Sequence, residues 1–173
     1  MFSENLGERV GRRQSLILRP MTLADIEILF DQKKDGVAVE MAAFTSKDPQ
    51  DAAAFMMKTK NLIANQDIDT LVIEVAGRVV GDVMGFEMFG RRSVCYWLGR
   101  EYWGRGYATE ALKLFVDQFD QRPLVARVVH DNAASLQVLQ KCGFKIVDEE
   151  VGFAAGRGAE VRELILELKG TNS

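Results

Sequence analysis

Two glycines placed just before a predicted helix are the first residues in this sequence whose position suggests chemistry. Gly104 and Gly106 lie in EYWGRGYATEAL, residues 101–112, and helical spacing begins directly after them. A helix N-terminus presents unpaired N–H groups and the positive end of the helix dipole, so it binds anions well. The segment therefore predicts a phosphate-binding turn, with a plain strand-to-helix turn as the alternative.

Two common phosphate-binding motifs require residues that this sequence does not have. The dinucleotide pattern GxGxxG needs a third glycine where Thr109 stands, and it follows the first strand of a repeated βαβ unit. Here the two glycines follow three predicted antiparallel strands in mid-chain. The sequence also contains no GxxxxGK[ST] motif, which excludes a P-loop.

A second group of spaced residues follows in NAASLQVLQKCGF: Asn132, Ser135, Lys141, Gly143 and Phe144. Together, YWLG leading into WGRGYATEAL and the pattern NxxSxxxxxKxGF resemble the GNAT superfamily of acetyl-CoA-dependent N-acetyltransferases. Within it, the chain looks most like the branch of ribosomal-protein N-terminal acetyltransferases of the RimJ/RimL type. The resemblance implies a mixed α/β fold. Its mostly antiparallel sheet of about seven strands would be splayed at the cofactor site and flanked by about four helices.

The resemblance implies that the glycine turn binds the pyrophosphate of coenzyme A. The family pattern Q/R-x-x-G-x-G/A falls on residues 103–108, with Trp103 where the family has Gln or Arg. Backbone N–H groups would hold the phosphates, so this change need not harm binding, and Arg105 could add charge. The implied cofactor-binding residues are Leu98, Trp103, Gly104, Arg105, Gly106, Tyr107, Ala108, Thr109, Asn132 and Ser135.

The same resemblance implies roles in catalysis. The backbone at Leu98 would hold the pantetheine arm, and the N–H of Tyr96 would polarise the thioester carbonyl as charge develops on its oxygen. Asn132 would contact the cofactor near the pantetheine and also cap a helix. Many relatives have a tyrosine four residues after the serine position, where this chain has Leu139. Ser135 is therefore the implied hydrogen-bond donor to the departing thiolate.

The general base is the least specified part of the site. An amine must be neutral to attack a thioester, and a free alkyl ammonium has a pKa near about 10. The two candidates are His130, at the end of the strand before Asn132, and Glu87, on the strand before the splayed one. A lone histidine is more often structural, and strand alternation could equally point Glu87 at solvent. No base is required if the acceptor arrives neutral.

Composition restricts the partners. The net charge of −3 argues against nucleic acid, which requires a basic face. A single histidine argues against a His/Cys zinc site, so no metal is expected.

Cys95 and Cys142 are expected to be buried thiols in a reducing cytoplasm. The N-terminus has no apolar core like that of a signal peptide, and no apolar run approaches the ~20 residues of a membrane span.

Periodicity predicts the order strand, two helices, three strands, helix, strand, helix, two strands. Residues 1–14 are expected to be a loose arm, 15–169 one acetyltransferase domain and 170–173 a tail. Thr22 and Asp48-Pro49 are predicted helix starts, and Gly77 and Gly90 predicted hairpin turns. Residues 33–47 give no clear prediction.

The acceptor is expected between residues 31–47 and the loop 152–159, which show no dominant charge. It could be a protein N-terminus, a small amine or an amino sugar. Two other functional classes stay open, a catalytically silent acyl-CoA-binding module and an unrelated nucleotide binder. The two C-terminal strands leave room for a homodimer formed by strand pairing or exchange.

Overall fold

The computed structural model describes residues 14–170, which form a seven-stranded sheet with helices on both faces. The predicted arm and tail therefore lie outside the described residues, apart from residues 14 and 170. The strands are β1 (Leu16–Pro20), β2 (Asp69–Val75), β3 (Arg78–Met88), β4 (Arg91–Leu98), β5 (Leu124–Val129), β6 (Lys145–Ala154) and β7 (Ala159–Leu168). The helices are α1 (Ile26–Lys33), α2 (Gly36–Ala42), α3 (Ala52–Ala64), α4 (Tyr107–Val116) and α5 (Ala133–Lys141).

The strand order is β1-β2-β3-β4-β5-β7-β6, and every neighbouring pair is antiparallel except β4 and β5. The two predicted hairpin turns are confirmed. Ala76-Gly77 and Phe89-Gly90 both have two consecutive positive φ angles, as a two-residue turn of type I′ requires. The mixed α/β fold and the seven strands expected from the sequence are thus present, and residues 14–170 contain five α-helices rather than about four.

The helices divide the core into two layers. The main cluster lies under α4 and α5, where Leu112 and Phe115 of α4 pack on strand residues such as Val83 and Val94. A smaller cluster lies under α1 and α3 on the opposite face and includes Leu29. The i, i+3, i+4 spacing in α4 gives that helix the apolar stripe that holds it to the sheet.

One helix start was predicted wrongly, and one helix was not predicted. Helix α3 begins at Ala52 with Asp51 as its N-cap, because Asp48 instead accepts the N–H of Gln50 in a turn. Helix α2 was not predicted, since its seven residues carry no clear period; the Asp35 side chain caps it by accepting the N–H of Ala38. No helix in the part of the chain that the structure describes is both long and apolar enough to cross a membrane.

Candidate active site

A gap opens in the middle of the sheet between β4 and β5. Antiparallel β3 and β4 stay paired along eight residues, whereas β4 and β5 share one paired position, Ser93 with Val125. Beyond that position the two strands diverge toward Leu98 and Val129. The splay predicted for the cofactor site is therefore present.

Main-chain groups of β4 face this gap. The N–H of Gly99 donates to the carbonyl of Val80 on β3 at 2.9 Å. Because hydrogen-bonding direction alternates along an antiparallel strand, the N–H groups of Tyr96 and Leu98 point the other way, toward β5. The Leu98 carbonyl already accepts the indole N–H of Trp103 at 2.9 Å. These two backbone donors thus lie at positions of β4 that are not paired with β5.

A cavity of about 1200 Å³ occupies the gap and opens on both faces of the sheet. On the α4/α5 face its lining includes Trp103, Gly104, Ala108, Ser135 and Val138. On the α1/α3 face it includes Lys33, Phe55, Lys58, Asp82 and Trp97. A cavity of this form can take a donor from one face and an acceptor from the other.

The glycine turn ends at the N-terminus of α4, beside the cavity. Gly104 and Gly106 have φ of +72° and +81°, and a Cβ on either would meet no protein atom within 4 Å. The first intrahelical bond runs from Glu110 N–H to the Gly106 carbonyl, and no side chain caps the helix. The N–H groups of residues 107–109 are therefore available to a ligand. This open turn, with its unpaired N–H groups, has room for a phosphate.

Arg105 lies in the same turn, and its side chain is exposed. Its guanidinium carbon is 5.9 Å from the centre of the Tyr102 ring. Among residues 14–170 it forms no ion pair, whereas the neighbouring Arg100 reaches Asp35 at 3.4 Å. Arg105 is thus a free positive charge beside this open turn. The predicted residues Tyr107 and Thr109 are half-buried and do not line the cavity.

Asn132 begins α5 as predicted, and both ends of its side chain contact protein. Its oxygen accepts the N–H of Ser135 at 3.1 Å, and its amide nitrogen donates to the Met41 carbonyl at 3.3 Å. Asn132 therefore fixes the start of α5 and the end of α2 together. It also lines the cavity.

Ser135 has a partner that the sequence did not reveal. The Tyr96 hydroxyl donates to the Ser135 hydroxyl oxygen at 3.0 Å, across the space between β4 and α5. Burial raises the pKa of Tyr96, so the phenol keeps its proton. Because the Ser135 oxygen already accepts one bond, its own hydrogen is free to donate into the cavity. The two hydroxyls form a short donor chain at the gap.

The two candidate bases lie away from the open part of the gap. Glu87 pairs with Arg92, which is on the closed side of the Ser93–Val125 pair, and its side chain is exposed although it reaches the cavity lining. His130 is exposed and does not line the cavity, and its Nδ1 lies 3.3 Å from the Arg162 carbonyl. The structure does not bring either side chain next to Tyr96 or Ser135.

Two further side chains of the cavity, Cys95 and Asp82, were not predicted as site residues. Burial raises the pKa of the Cys95 thiol to about 12, which keeps it protonated and a poor nucleophile. Asp82 is a buried carboxylate next to Lys33. A charged residue inside the otherwise apolar strand VVGDVMG was the available sequence signal for Asp82. No group of three or more possible metal ligands is found within residues 14–170.

The α1/α3 side of the cavity is built from more of the chain than the sequence indicated for an acceptor site. Phe44 and Thr45 line the cavity, together with Phe55 and Lys58 of α3. The turn between β6 and β7 does not line it but supports the segment after α2: the Gly156 N–H donates to the Ala43 carbonyl at 2.8 Å. That contact is possible only for glycine, since a Cβ would lie 2.7 Å from the same carbonyl.

Arg157 ties the same turn to two other elements. Its guanidinium forms a bidentate ion pair with Asp131, at 2.7 and 2.8 Å, and donates to the Glu40 carbonyl at 2.8 Å. The turn therefore joins α2 to the loop that carries Asn132.

Comparison with known proteins matches this chain to an acetyltransferase family. Residues 15–145 match the family described as Acetyltransferase (GNAT) domain. A protein of Bacillus licheniformis called "Uncharacterized N-acetyltransferase p20" is 25% identical over 143 residues, which are 76% of this chain and 80% of that protein.

Solved structures show the same fold. RimJ of Mycobacterium smegmatis, in complex with CoA-disulfide, superposes with a TM-score of 0.75 at 19% identity, covering 89% of this chain and 81% of that one. Spermidine N-acetyltransferase of Vibrio cholerae, in complex with CoA and spermine, gives a TM-score of 0.72 at 17% identity, covering 88% and 95%.

Proposed function

The chain belongs to the acetyltransferase (GNAT) domain family, and we propose on that premise that it is an acetyl-CoA-dependent N-acetyltransferase. The observation that carries the proposal is the cavity through the splayed strands. It joins an open phosphate cradle on one face to an acceptor chamber on the other, with backbone donors of β4 between them. The acetyl-CoA thioester supplies the acetyl group, and the protein supplies position, polarisation and proton handling.

Binding begins at α4 in this proposal. The N–H groups of Ala108 and Thr109 and the charge of Arg105 hold the pyrophosphate, and the glycines let it approach the backbone. The Leu98 N–H holds the pantetheine arm along β4. The Tyr96 N–H donates to the thioester carbonyl, where negative charge develops as the amine attacks. Such a preorganised donor stabilises a transition state because it needs no reorientation.

The leaving thiolate is received on the α5 side. The Ser135 hydroxyl donates to the sulfur, and the Tyr96 hydroxyl donates to Ser135. Many relatives have a tyrosine at the position of Leu139. In this chain the phenol that contacts Ser135 comes from Tyr96 on β4 instead. Because Cys95 stays protonated, an acetyl-cysteine intermediate is disfavoured. Direct attack by the amine in a ternary complex is therefore the proposed route.

Within the family we propose the RimJ/RimL-like branch. It is supported by the two sequence motifs that contain Gly106 and Asn132 and by the superposition on RimJ. The Vibrio structure was determined with a polyamine, so the fold serves more than one class of amine and does not by itself identify this acceptor.

Turnover measurements test the proposal. Acetyl-CoA is incubated with the protein and a panel of N-terminal peptides, alkyl amines and amino sugars, while thiol release and acetylated product are followed. Release that depends on the amine, with one product formed per thiol, is expected. Failure to bind acetyl-CoA would overturn the proposal. Tight binding without release from any amine would instead identify a catalytically silent acyl-CoA-binding module.

A further inference from the structure

Asp82 is a buried carboxylate whose two oxygens accept no hydrogen bond among residues 14–170, although Lys33 forms an ion pair with one of them. It lies in the interior of β3, is 1% exposed and lines the cavity. Lys33 of α1 reaches its Oδ2, with Nζ at 2.6 Å. The other oxygen, Oδ1, has no donor among residues 14–170, and the buried indole N–H of Trp97 also has no acceptor there. Since nearly all buried polar groups in native proteins are paired, such an exception calls for an explanation.

The strand register places Asp82 beside the reacting position. Asp82 is opposite Trp97, and the next pair along the two strands is Val83 with Tyr96. Tyr96 points toward α5, so alternation directs Asp82 to the α1/α3 face, where an acceptor would enter. At about 3.4 Å per residue, Glu87 is about 17 Å further along β3. Asp82 is thus the carboxylate of β3 that lies next to the backbone donor of Tyr96.

The chamber around Asp82 is mainly apolar. Its walls include Leu29, Phe55, Leu62, Met84 and Phe86. Two lysines, Lys33 and Lys58, also line it, together with the carboxylates of Asp48, Asp51 and Asp67. An acceptor with an apolar body would fill this chamber, whereas a second ammonium group would lose its hydration against the apolar walls.

We infer that the acceptor is a primary amine carried on an apolar body, and that Asp82 receives its ammonium group and its proton. The inference rests on the proposed N-acetyltransferase activity and identifies the substrate class and proton acceptor of that same site. Lys33 is a positioning residue, because it occupies Oδ2 and leaves Oδ1 for the amine.

The protons balance as follows. The ammonium group gives one proton to Asp82 Oδ1, and the neutral nitrogen forms a bond to the acetyl carbon. The carbon–sulfur bond breaks and its electron pair goes to sulfur. The nitrogen loses its second proton to water as the amide forms. The Ser135 hydroxyl gives its proton to the thiolate and regains one from water, so the products are a neutral thiol and a neutral amide. Asp82 then returns its proton to water.

The first arm of the test replaces Asp82 by asparagine, which keeps the shape and removes the charge. Asp82→Asn is expected to lower kcat/KM for the best panel amine by at least about 100-fold, as loss of a general base does, with unchanged acetyl-CoA affinity. Asp25→Asn is the matched control. Like Asp82, Asp25 is a buried carboxylate with a basic partner, in this case Arg19, but it lies outside the cavity. It is expected to keep kcat/KM of the folded protein.

The single variant leaves Lys33 without its partner and could unfold for that reason. The double variant Asp82→Asn/Lys33→Met removes both charges and is expected to fold while staying inactive. Activity regained in the double variant would overturn the inference, because Asp82 would then be only the partner of Lys33. An Asp82→Asn variant within about three-fold of the wild type would overturn it as well, given the usual size of general-base effects.

The second arm compares hexylamine with 1,6-diaminohexane on the wild-type protein. The two differ by one terminal ammonium, and the monoamine is expected to have the higher kcat/KM by at least about ten-fold because of the desolvation of that charge. A preference for the diamine would overturn the apolar-body part. A wild-type protein that acetylates no amine would refute the proposed function itself, whereas an active wild type with an unaffected Asp82→Asn variant would refute this inference alone.

Discussion

Replacing Gly106 by alanine separates the two explanations of the glycine turn, a phosphate cradle and a simple turn. Gly106 has φ of +81°, and an added Cβ would meet no protein atom within 4 Å. The cost to folding is therefore backbone strain alone, about 1–2 kcal/mol for an L-residue in the left-handed region. If a phosphate lies in that open space, the same methyl group must also displace it.

The expected loss of coenzyme A affinity follows from the hydrogen bonds involved. A bond from a backbone N–H to a charged phosphate oxygen contributes about 1.5–3 kcal/mol. Losing one such bond raises Kd by about 10- to 150-fold, since each 1.4 kcal/mol is a factor of about ten. Calorimetric titration of coenzyme A into Gly106→Ala should show a loss in this range.

Gly90 provides the matched control. It also has a positive φ, +71°, and also has no atom within 4 Å of an added Cβ, but it lies in the hairpin turn between β3 and β4. Gly90→Ala should lower the free energy of unfolding by a similar amount and leave coenzyme A affinity unchanged. Equal affinities for the two variants would refute the phosphate cradle and leave Gly106 a plain turn residue.

Three other predictions concern different parts of the molecule. Tyr96→Phe removes the donor to Ser135 and should lower kcat about five-fold, at about 1 kcal/mol per hydrogen bond, without changing acetyl-CoA affinity. An unchanged single-turnover rate constant would contradict the donor chain. Arg19 lowers the pKa of Asp25 to about 2, below its ordinary value, so this carboxylate stabilises the fold above about pH 4. About 2 kcal/mol of the free energy of unfolding is lost as the pH falls toward 2. Urea unfolding of the wild type and of Asp25→Asn across that range should show this contribution only in the wild type. Parallel plots of unfolding free energy against pH for the two proteins would argue against it. Phe153 is 66% exposed on the edge strand β6, where pairing with a second copy would cover it. Light scattering should then report a dimer for the wild type and a monomer for Phe153→Glu, and a monomeric wild type would exclude dimerisation through this strand.

Local signals predicted much of the architecture. The glycines of both hairpins, Asn132 as the cap of α5 and the apolar spacing of α4 are each encoded within a few neighbouring residues, and all are present in the structure. Helix α2 was missed because seven residues span only two turns and show no period. The start of α3 was misplaced because Asp48 and Asp51 are both good cap residues, and Pro49 favoured the first of them.

The site was less predictable because its contacts join residues that are distant in sequence. The phenol of Tyr96 meets Ser135 across 39 positions, and Lys33 meets Asp82 across 49. Neither spacing carries a local signal. Only the strand register shows that Glu87 lies on the closed side of the gap and Asp82 on the open side.

Amide hydrogen exchange in the presence of acetyl-CoA tests the central claim most directly. The account predicts slower exchange at Tyr96 and Leu98, whose N–H groups face the gap, and at Ala108 and Thr109 in the first turn of α4. Exchange at these four amides that stays unchanged at saturating acetyl-CoA would contradict the placement of the donor between β4 and β5, and with it the proposed acetyltransferase site.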